Sequence, residues 1–185
     1  MVILKNDVTN GVNRVGVAME EIDKGVEEKL AKLTVNGRGY ELRVRSNWTL
    51  AHVLRDRLGF TGVKIACDNG ACGACTVLIN GELILSCMKL AIECEGSNIM
   101  TIEGLSDGVQ LHPIQEAWLE EHGTQCGFCA PGMIMTTKVF LDENPDPTDQ
   151  EVRKALSGNI CRCGNYGHIV NSVLAAAKKI RRGEE

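Results

Sequence analysis

Two groups of cysteines constrain this chain more than any other feature. The first is Cys67, Cys72, Cys75 and Cys87, a C-x4-C-x2-C run followed further on by a fourth thiol. The second joins a C-x2-C pair, Cys126 and Cys129, to a C-x-C pair, Cys161 and Cys163. The chain has nine cysteines in 185 residues, a share below the roughly 8–10% of a disulfide scaffold, and an odd count cannot pair completely. The N-terminus, Met1-Val2-Ile3-Leu4-Lys5, lacks a basic stretch followed by a long apolar core. A reducing, cytoplasmic setting is therefore expected, where closely spaced thiols serve as metal ligands or redox groups.

The remaining composition excludes several classes of function. Hydrophobic residues make up 44% and charged residues 24%, values of a folded globular chain. No run of about 18 apolar residues is present, so no membrane span is expected. A net charge of -4 leaves no basic surplus for neutralising phosphates, which argues against nucleic acid as a partner.

The hydrophobic pattern divides the chain into an arm, 1–31, and two domains, 32–107 and 108–185. In the arm Val15, Met19, Ile22, Val26, Leu30 and Leu33 recur at three- and four-residue steps, a helical stripe that needs a surface to lie against. From Lys32 short strands begin. Leu33-Thr34-Val35 and Tyr40–Val44 flank a turn at Asn36-Gly37-Arg38-Gly39, and Thr76–Ile79 and Glu82–Leu85 flank Asn80-Gly81, so two hairpins are predicted. A helix is expected from Thr49 to Leu58, stopped by Gly59, and a closing strand at Ile99–Ile102. Gly104–Gly108 reads as a linker. Beyond it the period is helical, with helices expected at about 113–121, 131–142, 148–157 and 166–181, the third opened by a Thr148/Glu151 capping box.

The leading spacing of the first group is that of a plant-type [2Fe–2S] loop. Gly70, Ala71, Gly73 and Ala74 lie between its cysteines, so backbone N–H groups can approach the sulfurs of an anionic cluster without side chains intruding. Zinc is the competing occupant, although zinc ribbons favour two C-x2-C pairs. The second group is less specific, and zinc or a thioredoxin-like dithiol would fit its first half. Both of its pairs nevertheless precede expected helices, whose N-termini favour anions, so one anionic cluster between two helix ends is the better reading. Cys94 has no partner at ligand spacing and reads as a buried core thiol. The four histidines, His52, His112, His122 and His168, are scattered and read as surface or packing residues.

Several segments together resemble the small iron–sulfur subunit of the molybdenum hydroxylases, the xanthine oxidase family. They are Thr61-Gly62-Val63-Lys64, Cys72-Gly73-Ala74-Cys75-Thr76-Val77, His112-Pro113-Ile114-Gln115, Gln125-Cys126-Gly127-Phe128-Cys129, Pro131-Gly132-Met133-Ile134-Met135 and Leu156–Cys163. The resemblance implies an α+β chain, with a β-grasp ferredoxin-like domain followed by an all-α four-helix domain, each holding one [2Fe–2S] cluster. It implies a large partner subunit with molybdopterin, in a dinucleotide form, a medium subunit with FAD, and assembly as a dimer of heterotrimers. By the same resemblance Cys126, Cys129, Cys161 and Cys163 receive the electron first, and Cys67, Cys72, Cys75 and Cys87 pass it toward the flavin. Gln125 and Cys163 match the residues that meet the pterin. After Cys163 the chain reads Gly164-Asn165-Tyr166 where many members have Thr-Gly-Tyr, a departure that bears on pterin contacts and on the potential of the second cluster; Ala66 also stands where glycine is common.

The expected function is a one-electron relay with no catalytic residue in this chain. Reversed flow, as in the 4-hydroxybenzoyl-CoA reductase branch, uses the same architecture. A zinc-stabilised interaction module and a free-standing ferredoxin are the alternatives of other classes.

Overall fold

In the computed structural model, residues 26–183 are described. They form two hydrophobic cores, one per domain. The first is built on strand β1 (Glu28–Val35), which pairs antiparallel with β2 (Arg38–Arg45) through a two-residue turn. Asn36 and Gly37 hold φ values of +50° and +76°, the left-handed pair that a tight hairpin needs. Asn80-Gly81 repeats the device, with +52° and +89°, between β3 (Thr76–Ile79) and β4 (Glu82–Leu85). Strand β5 (Asn98–Met100) fills the gap, parallel to β1 and antiparallel to β3, giving the order β2-β1-β5-β3-β4.

The expected helical stripe does not reach Leu33. Leu30 and Leu33 lie in β1, where Ala31, Leu33 and Val35 alternate into the core and Leu30 faces outward. Spacings of three and four among few apolar residues fit a period of two almost as well once the partner strand is present. The rest of the stripe, apart from Val26, lies outside the described residues.

Helix α1 (Leu50–His52) opens on Thr49, whose hydroxyl accepts the His52 N–H, and then widens into a π-helical turn (Val53–Arg57) in which Leu58 N–H reaches the Val53 carbonyl. Leu50, Ala51, Val53 and Leu54 bury one face of this helix against the sheet. Arg55 Nη1 donates to the carbonyls of Thr61 and Val63, at 2.8 and 3.1 Å, and so fixes the chain as it enters the first cysteine loop.

The second core lies among α2 (Pro113–Glu120), α3 (Ala130–Glu143), α4 (Asp149–Ala155) and α5 (Tyr166–Arg182). The Thr148/Glu151 capping box forms as expected. A second box opens α2, where His112 Nδ1 accepts the Ile114 N–H and the Gln115 side chain accepts the His112 N–H. His112 is thus an N-cap, a role its position before Pro113 could have suggested.

The approach to the linker is fixed to the first domain. The expected linker, Gly104–Gly108, is entered through a 3-10 turn, Ile102–Gly104, that takes in its first residue. Glu103 accepts from both the Thr101 hydroxyl and the Gly62 N–H, while Asn36 bonds the Thr101 backbone and hydroxyl. Hairpin turn, the segment leading into the linker and the cysteine-loop entry are therefore one hydrogen-bonded unit.

Candidate metal centres

Each cysteine group is drawn together in space. In the first, Cys67 and Cys72 are hydrogen-bonding neighbours, as are Cys75 and Cys87, and Cys67 lies within electrostatic reach of Cys87. In the second, the Cys163 thiol donates to the Cys126 sulfur at 3.4 Å, and Cys129 meets Cys161. Among the described residues no three Cys, His, Asp or Glu side chains converge on one ion-sized point. The sulfurs stand two and two in each group, the arrangement that suits two adjacent metal ions taking two thiolates each.

The first loop folds as its small residues predict. Asp68, Gly70 and Gly73 take φ values of +55°, +80° and +71°, which coil the backbone so that its N–H groups turn inward. The Asn69 N–H, with those of Cys72 and Ala71, bonds the Cys67 sulfur, and Gly70 N–H bonds that of Cys87. These donors hold the Cys67 thiol down to about 7, against burial acting the other way. Burial, followed by the neighbouring Cys75 thiol, pushes Cys87 up to about 12. The second group repeats the contrast. The Phe128 N–H lowers exposed Cys126, while burial and then Cys161 push Cys129 up to about 12. Burial and the neighbouring thiols oppose four adjacent thiolates, so a metal centre taking them up would supply the compensating charge and release protons as it binds.

Helices reinforce the second centre. Cys129 is the N-cap residue of α3, and Cys161 and Cys163 lie just before α5. Both pairs thus stand at or just before helix N-termini, whose partial positive charge favours anionic groups. Tyr166 closes the turn by accepting the Cys161 N–H on its hydroxyl, at 2.9 Å.

The two loops touch each other. Ile160 N–H donates to the Cys72 carbonyl at 2.9 Å, and Asn159 Nδ2 donates to the Gly73 carbonyl at 3.0 Å. Thr136 hydroxyl donates to Asn159 Oδ1 at 3.0 Å. Buried Gly132, on α3, lies so close to Gly73 that a β-carbon there would overlap the Gly73 carbonyl oxygen. Asn159, Thr136 and Gly132 were missed by sequence reasoning as interface residues: Asn159 and Gly132 meet Gly73 only because the domains dock, and Thr136 acts from within the helical domain by holding Asn159. The Gly132 position within Pro131–Met135 was the nearest available signal.

The remaining sequence candidates divide clearly. Cys94 is 1% exposed in the first core, its thiol directed at the Leu90 carbonyl, and burial raises its pKa. Gln125 is exposed and donates its amide to Asn165. The histidines are less scattered than expected: His122 and His168 meet edge to face at 6.4 Å between ring centroids, because the loop before Cys126 folds back on α5.

Fold and cysteine geometry define a class, a chain of two successive [2Fe–2S]-binding domains. Residues 33–99 match the family model of the 2Fe-2S iron-sulfur cluster binding domain, and residues 101–174 that of the [2Fe-2S] binding domain. The nicotine 6-hydroxylase small subunit of Paenarthrobacter nicotinovorans is 47% identical, over 79% of this chain and 88% of its own. The caffeine dehydrogenase subunit gamma of Pseudomonas sp. (strain CBB1) is 43% identical, over 83% and 95%. The structure of quinoline 2-oxidoreductase from Pseudomonas putida 86 superposes with a TM-score of 0.81 at 42% identity, covering 85% of this chain and 99% of that one. The chain belongs to the small iron–sulfur subunits of the molybdenum hydroxylase, or xanthine oxidase, family.

Proposed function

We propose that this chain is the electron relay of a molybdenum hydroxylase complex, with Cys67, Cys72, Cys75 and Cys87 holding one [2Fe–2S] cluster and Cys126, Cys129, Cys161 and Cys163 the other. The observation that carries this reading is the two-and-two pairing of sulfurs in both loops, joined by the Ile160–Cys72 hydrogen bond. Each cluster, when bound, accepts and releases single electrons. The protein supplies the rest. N–H donors and helix ends stabilise negative charge at the sulfurs, and burial of Cys75, Cys87 and Cys161 limits water.

Exposure gives the two centres different outlooks. Cys126 and Cys163 reach the surface, and Phe128, Ile160 and Tyr166, their near neighbours in sequence, are 44%, 52% and 40% exposed. Exposed thiols and exposed apolar side chains in the same two cysteine segments suit a partner, so the second centre is assigned to face the large molybdopterin subunit, with Gln125 and Cys163 at the pterin. The first centre is assigned to the medium FAD subunit. The relatives' names carry N-heterocyclic substrates, nicotine, caffeine and quinoline, and this supports oxidation of an N-heteroaromatic compound by the complex. Co-expression with the neighbouring genes is expected to give one sizing-column peak in which this chain co-elutes with two larger ones. Elution as a lone small protein would overturn the assignment, and turnover of aryl-CoA in place of N-heterocycles would reverse the direction of flow.

A further inference from the structure

Asn165 immediately precedes α5, where an asparagine ordinarily caps the helix with its own side chain. Here it makes no cap bond, and only 5% of its surface is exposed. Its amide instead crosses to the loop before Cys126. Nδ2 donates to the His122 carbonyl at 2.9 Å, and Oδ1 accepts from Gln125 Nε2 at 3.3 Å. The orientation of the amide follows, because a carbonyl can only accept and must face the NH2. His122 sits at φ +54°, a conformation that a side-chain-bearing residue adopts at some cost, and the bond to its carbonyl supports it. His168 Nδ1, bonded to the Glu121 carbonyl at 3.0 Å, holds the same loop one residue earlier.

Gln125 adjoins Cys126, and Asn165 follows Cys163 by one intervening residue. The Asn165 amide therefore ties together the two backbone segments that bring the Cys126 and Cys163 sulfurs to 3.4 Å. We infer that Asn165 is a positioning residue, a clasp that sets the Cys126–Cys163 pair and aims the Gln125 amide outward. Engaging one N–H of Gln125 leaves its other N–H and its carbonyl for a polar group of the partner or its cofactor. A glycine or alanine at this position forms neither bond. The inference rests on the second cysteine quartet holding a [2Fe–2S] cluster.

The test compares the iron- and sulfide-loaded full chain with its Asn165→Ala and Asn165→Asp variants, by iron content, EPR of the reduced protein and redox titration. The second-cluster signal is identified as the one that Cys163→Ser alters. Both variants are expected to shift its g values and midpoint potential while the first-cluster signal stays in place. The aspartate, which keeps the acceptor for Gln125 but opposes the His122 carbonyl with a negative charge, is expected to lower the potential further. If Asn165→Ala fails to retain its second cluster, the isosteric aspartate decides on the same readings. Superimposable second-cluster signals and potentials, or equal changes in both clusters, would overturn the clasp. A wild-type chain with only one cluster would instead overturn the underlying function, so the two failures are distinct.

Discussion

Gly132→Ala is expected to destabilise the chain and disturb the first cluster, although the substitution lies in the second domain. In an isolated helix alanine would gain about 0.8–1 kcal/mol over glycine. At this position the new methyl would overlap the Gly73 carbonyl oxygen and press on the Ala74 α-carbon. Both are backbone atoms, so no rotamer change relieves the overlap. Gly73 cannot retreat either, because Asn159 and Gly158 crowd its other side and its φ is +71°. Overpacking typically costs about 1–3 kcal/mol, and a contact against backbone sits at the upper end. We expect a net loss of about 2 kcal/mol, or roughly 4–8 °C in Tm for a chain of this size. Since Gly73 lies between Cys72 and Cys75, the first-cluster EPR signal should broaden or shift as well. Calorimetry and EPR on the same sample check both parts, and an unchanged Tm with an unchanged spectrum would show that the domains are not packed as described.

Cys75→Ala is expected to remove one cluster and leave the other. Cys75 is 3% exposed, immediately precedes β3, and pairs with Cys87. Without it one iron loses a thiolate in a site with no spare sulfur, since Cys94 points to the Leu90 carbonyl from within the core. Iron should fall from about four to about two per chain, with one of two EPR signals lost. Because metal binding is coupled to folding, the first domain should also lose thermal stability by several degrees or more. The helical domain has a separate core, so its signal should persist. Cys94→Ala is the control. It removes a buried sulfur at a cost of about 1 kcal/mol and should leave iron content and both signals unchanged.

The elements legible in the sequence are those whose cause is local. Asn36-Gly37 and Asn80-Gly81 announce their hairpins because the turns need left-handed backbone. Thr148 and Glu151 announce a helix start because both halves of the capping box lie within one turn. The cysteine groups were legible because spacing and small neighbours are local requirements of a wrapped centre. Strand β1 was partly hidden, since Leu30 and Leu33 also fit a helical step and only pairing with β2 and β5 decides between them. The π-helical turn at Val53–Arg57 carried no sequence mark. Asn159, Asn165 and Gly132 gain their roles from contacts between segments distant in sequence, which no period or spacing encodes.

The central claim is that each cysteine quartet holds a pair of iron atoms. Diffraction data from crystals of the natively loaded protein, collected above and below the iron absorption edge, test it directly. The account predicts two anomalous peaks beside Cys67, Cys72, Cys75 and Cys87, and two more beside Cys126, Cys129, Cys161 and Cys163. A single peak at either quartet, or scattering that appears only above the zinc edge, would contradict it.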